Sequence, residues 1–206
     1  MLKLFYSPGS CAFASHMALE ESGAQYEAAR IDFAKAEQTK PAFLAINPKG
    51  RVPALVTERG ILTESPAILL YIAQSFPAAR LAPLDDPYTL AKMQAVNSYL
   101  CSTVHVAHAH RVRAYRWTDD EAAVLTMQKK TPQNMSECFA MIERDMLAGP
   151  WVLGEAYSVA DPYLFTLARW LEGDGVDVKK FPKVHAHMQR ISERPAVQKV
   201  LALHTS

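Results

Sequence analysis

Strand-forming patterns stop at one place in this 206-residue chain, and that boundary constrains the fold more than any other feature. Through the first 80 residues, short apolar runs alternate with turn residues and stretches of helical spacing. Then comes Leu81-Ala82-Pro83-Leu84-Asp85-Asp86-Pro87, with two prolines, two acids and no period, which reads as a linker. Beyond it only helical periodicity remains. The chain is therefore expected to fold as a mixed α/β domain over residues 1–80, a linker over 81–87 and an all-helical domain over 88–206. Half of the residues are hydrophobic, enough to bury a core in each part.

Within the first part the spacing predicts a strand at Leu2 to Tyr6, closed by the Pro8-Gly9 turn, and a helix from Cys11 to Ser22 with Gly23 as its C-cap. A second strand is expected over Tyr26 to Phe33 and a short helix over Lys40 to Leu44. Val52 to Thr57 and Gly60 to Leu62 read as two strands, and Ser65 to Ser75 as a helix. The order is β-α-β-α-β-β-α. In the second part, helices are expected over Tyr88 to Arg113, Asp119 to Met146, Ser158 to Leu171, Pro182 to Ile191 and Pro195 to Leu203. Ser158-Val159-Ala160-Asp161 has capping-box spacing, which gives Asp161 a structural role.

A formal net charge of +1 argues against a general nucleic-acid binder. No apolar run approaches the roughly 20 residues that span a bilayer. The N-terminus carries no basic segment followed by a long apolar one, so secretion is not expected. Three cysteines without paired spacing fit a reducing, cytoplasmic setting.

Cys11 is the cysteine that invites chemistry. In the first turn of a helix it faces free backbone N–H groups and the positive end of the helix dipole, so its pKa is expected below the free value of ~8.5. Ala14 occupies the position where a dithiol oxidoreductase has its second cysteine, so any redox partner is a small thiol or another protein. Cys101 and Cys138, inside apolar helices, read as packing residues. Two further stretches favour a small peptide partner. In Asn47-Pro48-Lys49-Gly50-Arg51-Val52-Pro53, a cis Val52–Pro53 bond would turn the Val52 backbone toward an extended ligand. In Thr63-Glu64-Ser65-Pro66, Ser65 is expected as N-cap and Pro66 as the first helical residue. That helix start offers N–H donors to a carboxylate, with Glu64 beside it for an ammonium group.

Taken in order, F-Y-S-P-G-S-C-A-F-A-S-H, A-I-N-P-K-G-R-V-P-A-L, L-T-E-S-P-A-I-L-L-Y-I-A and G-E-A-Y-S-V-A-D-P-Y-L-F-T resemble the glutathione transferases, most closely their bacterial beta class. The resemblance implies a thioredoxin-like N-terminal domain, an all-α C-terminal domain and a homodimer. It implies glutathione as co-substrate, a hydrophobic or aromatic electrophile as second substrate, and no metal. It places Cys11 against the glutathione sulfur and has His105 reach that cysteine across the domain cleft. Val52, next to Pro53, would pair with the cysteinyl part, Glu64 and Ser65 would hold the γ-glutamyl end, and Lys35 would meet the glycyl carboxylate. Ser98, Ser102 and Thr103 complete the implied glutathione set. The chain departs from the family pattern at Val106, where lysine is usual, and at Ser98, where asparagine is usual although Asn97 is adjacent.

The resemblance leaves two activities open, conjugation to an electrophile and exchange of glutathione mixed disulfides through Cys11. A non-catalytic glutathione carrier or a dimeric interaction protein of the same fold is the alternative. His105, His108 and His110 lack a cysteine or acid at ligand spacing, so no metal is expected there. Arg111, Arg113 and Arg116, with Tyr115 and Trp117, read as a solvated helix end whose charges suit the C-terminal dipole. The competing reading places them on the rim of the cleft, facing an anionic or aromatic substrate.

Overall fold

The computed structural model describes residues 1–205. β1 (Leu2–Tyr6) runs into a tight turn at Gly9, whose φ of 71° is open to glycine and strained for most other residues. Out of this turn comes α1 (Ala12–Ser22), closed by Gly23 at φ 70° with its N–H on the Glu20 carbonyl. β2 (Tyr26–Arg30) returns parallel to β1, with Leu4 opposite Ala28. After the short α2 (Pro41–Leu44), β3 (Ala54–Thr57) pairs antiparallel to β1 with Leu55 opposite Leu4, and β4 (Gly60–Thr63) pairs antiparallel to β3. The sheet order is β2-β1-β3-β4, and α3 (Ser65–Ser75) completes the expected β-α-β-α-β-β-α order.

Two strands are shorter than expected. β2 stops at Arg30 because Asp32 Oδ1 accepts the N–H groups of Ala34 and Lys35, pulling the chain into a local turn. β3 starts at Ala54 because Pro53 has no N–H to give the ladder.

The second domain is built of helices, apart from two isolated antiparallel bridges, Trp151 with Gly154 and Leu153 with Ala156. α4 (Pro87–Tyr99) is capped by Asp86, whose carboxylate accepts the Tyr88 and Thr89 N–H groups at 3.0 and 3.1 Å. The single helix expected from Tyr88 to Arg113 is interrupted. Leu100–Val104 forms a π-helical turn, with the His105 N–H on the Leu100 carbonyl, and α5 (His105–Arg113) continues beyond it. α6 (Glu121–Met141) likewise ends in a π turn over Ile142–Met146. α7 (Ala160–Ala168), α8 (Pro182–Ser192) and α9 (Pro195–Thr205) follow. No helix among the described residues is long and apolar enough to cross a membrane.

α1 is buried on every side from Ala12 to Leu19, which marks it as a central helix rather than a surface one. Ala14, Ala18 and Leu19 belong to the main core, which runs through the sheet and α3 into the helical domain. Phe13 and Met17 pack with Phe165, Ile191, Val197 and Val200 on α7, α8 and the last helix. The Arg194–Glu21 pair and the Lys199–Glu20 pair (2.8 Å) clamp the same seam. Asp161 fulfils its structural role. Fully buried, its carboxylate accepts the Val152 and Ser158 N–H groups, both at 2.8 Å, and lies 3.0 Å from His187 Nε2.

Candidate active site

Two cavities open between the domains and meet at Cys11. The outer one encloses about 340 Å³ and the inner one about 150 Å³. Cys11, Arg51, Val52, His105, Arg113 and Arg116 line both. The turn before α1 and the loop before β3 build one wall. The other comes from α5 and the short turn after it.

Cys11 stands at the N-terminus of α1, yet its sulfur does not take up the helix N–H groups. It donates instead to the Val52 carbonyl, 3.4 Å away, next to a Val52–Pro53 bond that is cis. The residue keeps a partly exposed surface on the cleft, but the sulfur itself is desolvated. Burial pushes the thiol up to about 11, with the Ser65 hydroxyl and Arg113 pulling weakly the other way. This corrects the expected thiolate: desolvation and a carbonyl acceptor both favour the neutral thiol and outweigh the dipole.

The helix start opposite differs from its expectation by one residue. Ser65 is the first residue of α3 and Glu64 takes the cap position at φ 73°, a conformation costly for a side-chain-bearing residue. Ser65 is buried with its hydroxyl beside Cys11. Glu64 pairs with Lys49, whose Nζ also reaches Thr63 Oγ1 at 2.8 Å.

His105 enters from the helical domain beside Trp170, ring centroids 5.0 Å apart. The Trp170 indole N–H donates to the Gly9 carbonyl at 3.0 Å and so ties the Cys11 turn to the second domain. His108 stacks on Trp170 at 4.1 Å and holds Asp174 with its Nδ1, 2.8 Å away, while Arg111 donates to the same carboxylate at 2.7 Å. Burial lowers His105 to about 3, and Arg113, His108, Arg51 and Arg116 add to the effect. Its imidazole is neutral at physiological pH. His105 and His108 share Trp170, while His110 packs against Trp117.

The family model described as Glutathione S-transferase, N-terminal domain matches residues 1–74, and that for the C-terminal domain matches residues 106–195. Glutathione S-transferase GstA of Escherichia coli O157:H7 is 32% identical over 98% of both chains. The chain belongs to the glutathione S-transferase family. A glutathione transferase homologue from Sulfitobacter, solved with bound glutathione, is 47% identical, covers 98% of both chains and superposes with a TM-score of 0.96. A beta class glutathione S-transferase from Sphingomonas chungbukensis is 35% identical over 98% of both chains, with a TM-score of 0.84.

In this transferase the cleft gathers Cys11, Val52, Pro53, Glu64, Ser65 and His105 from the expected set. Lys35, Ser98, Ser102 and Thr103 stand off its walls. Lys35 is exposed and pairs with Asp32 at 3.3 Å. Ser98, Ser102 and Thr103 are exposed, the Ser102 hydroxyl donating back to the Ser98 carbonyl at 2.8 Å. The adjacent Asn97 is buried and bonded to Gln94. The wide turn explains the lost face: α-helical spacing groups Cys101, Ser102 and His105, but a π turn leaves only Cys101 and His105 toward the cleft.

Cys101 packs against the core as expected and also lines the cleft. It is half-buried, hydrogen-bonded to Tyr163, and burial raises its thiol. Tyr163, Arg51 and Trp170 are site residues without a local signal in the sequence. The arginines also correct an expectation. Arg113 and Arg116 line both cavities rather than solvating a helix end, and Tyr115 and Trp117 flank them. Arg111 alone turns away, to Asp174.

Proposed function

We propose that this cleft binds glutathione beside Cys11 and conjugates its sulfur to a second substrate in the manner of a beta class enzyme. The observation that carries this reading is the convergence of Cys11, the Val52 backbone, the Ser65 helix start and His105 on one cleft. The α3 N-terminus and Ser65 hydroxyl suit the γ-glutamyl carboxylate, and Glu64 suits its ammonium group. The Val52 backbone suits the cysteinyl unit, and Arg51, on the same wall as Cys11, suits the glycyl carboxylate in place of the outlying Lys35.

Conjugation is favoured over disulfide exchange. A thiol of pKa about 11 is ionised in roughly one molecule in ten thousand at neutral pH, a poor attacking group but a ready hydrogen-bond donor. Cys11 then donates to the glutathione thiolate in place of the Val52 carbonyl. The neighbouring guanidinium groups stabilise the same thiolate. Neutral His105 supplies a further hydrogen bond.

Calorimetric titration of the reduced protein with reduced glutathione tests the reading, followed by turnover of a chlorodinitrobenzene. Saturable one-to-one binding per chain and turnover that falls in Cys11→Ala are expected; a folded protein that takes up no glutathione refutes it. We further propose a cytoplasmic homodimer. The β4 edge supports it, where exposed Ile61 lines a groove with Leu62 and Tyr71. Analytical ultracentrifugation showing a monomer at micromolar concentration would count against the dimer.

A further inference from the structure

The arginines of the cleft outnumber the anionic groups that glutathione brings to them. Arg51, Arg113 and Arg116 line both cavities, and among the described residues none of the three has a carboxylate at ion-pair distance. The only acid on these walls is Glu64, already paired with Lys49. Arg113 is the telling member: half-buried, it is destabilised first by burial and then by Arg116. An unpaired, partly desolvated guanidinium beside a second one is an unfavourable arrangement. An incoming anion relieves it.

Glutathione carries two carboxylates and one ammonium group. Under the binding reading above, the helix start, Glu64 and Arg51 account for all three, which leaves the thiolate as the one anion for Arg113 and Arg116 to share. Arg113 and Arg116 stand on the opposite wall with more positive charge than that thiolate balances. Exposed aromatic rings, Tyr115 at 62% and Trp117 at 46%, flank the pair. Rings beside unpaired guanidinium groups form a surface for a flat molecule bearing a negative charge.

We propose that the second substrate of this transferase is an anionic aromatic or conjugated electrophile, its carboxylate or sulfonate held by Arg113 and Arg116. This rests on the glutathione reading, and the test separates the two. The probes are two conjugates, S-(4-carboxy-2,6-dinitrophenyl)glutathione and its methyl ester, titrated calorimetrically beside reduced glutathione. The carboxylate conjugate is expected to bind about tenfold more tightly or better than the ester, the gap closing at high ionic strength. Equal affinity of the two conjugates, with glutathione bound, overturns the inference and leaves the glutathione site standing. Failure of all three to bind overturns both.

The kinetic arm compares 4-chloro-3,5-dinitrobenzoate with its methyl ester, each corrected for its uncatalysed reaction with glutathione. Arginines that only stabilise the thiolate act on both substrates alike. Arg113→Gln and Arg116→Gln are instead expected to cut the acid-to-ester ratio of kcat/KM about tenfold each. Arg116→Gln lies in an exposed turn, so its ratio is read independently of any folding defect at Arg113. An unchanged ratio in Arg116→Gln refutes the assignment.

Discussion

Acid should unfold this protein early, and two histidines far from the cleft set the slope. His16 on α1 and His204 on α9 are buried, with His16 Nδ1 3.0 Å from His204 Nε2. One N–H fits between those nitrogens; two imidazolium rings would set two donors against each other. Burial lowers His16 to about 4 and His204 to about 3. Glu20 opposes this at His16 while Lys199 adds to it; at His204 the added push comes from His16, Arg169 and Arg30. In the unfolded chain both titrate near 6.5. Between about pH 5.5 and 4.5 these two histidines therefore make the unfolded state bind nearly two more protons than the folded one, a loss of about 2.5 kcal/mol of stability for each unit that the pH falls, to which His105 adds its own share. The contribution is fully present above the unfolded pKa and is lost as pH drops toward the folded values. His204→Gln keeps an amide donor for His16 and removes one titrating group. Its urea-unfolding stability, measured at several pH values and one protein concentration, should fall less steeply by about 1.4 kcal/mol per unit. Parallel lines for the two proteins would show that His204 is not held neutral, and the reasoning would fail.

The remaining expectations concern the seam and the cleft. Alkylation of Cys11 by iodoacetamide should rise with pH to a midpoint near 11; a plateau below 8.5 would restore the thiolate reading. Asp161→Ala strands two buried N–H groups and His187, and should cost about 3–5 kcal/mol in chemical unfolding. Arg51→Gln should weaken glutathione about tenfold while leaving γ-glutamylcysteine, which lacks the glycyl carboxylate, nearly unaffected. Lys35→Ala should separate the two ligands little; the reverse pattern would return the glycyl end to Lys35.

What the chain declares locally and what it does not divide along physical lines. β1 has the same ends in sequence and structure and α3 begins within one residue of its expected start, because an apolar run closed by Pro8-Gly9 and a Ser-Pro start are local signals. The cysteine at the head of α1 and the helix start near Ser65 were legible the same way, whereas His105 of the second domain came from the family resemblance. The protonation state of Cys11 was not legible. It depends on the Val52 carbonyl, 41 residues away, and on desolvation by both domains. The arginines at the end of α5 suffered similarly: a helix end with positive charge looks alike whether it meets water or a cleft. Cys101 shares the α-helical face of His105, but its place on the cleft depends on Tyr163 of α7, which local spacing does not reveal.

That wide turn has an effect on the phase of the whole rod. Each residue of an α-helix advances the winding by about 100° and 1.5 Å, so one residue too many would swing everything downstream round the axis. Leu100–Val104 absorbs such an extra residue, and the two halves keep independent headings. Met93 stays aimed at the core while His105 and Arg113 stay aimed at the cleft. Rewound as regular helix with the same count, the chain would turn its histidine and its arginines away together. The five residues work as a vernier between a part that must pack and a part that must react.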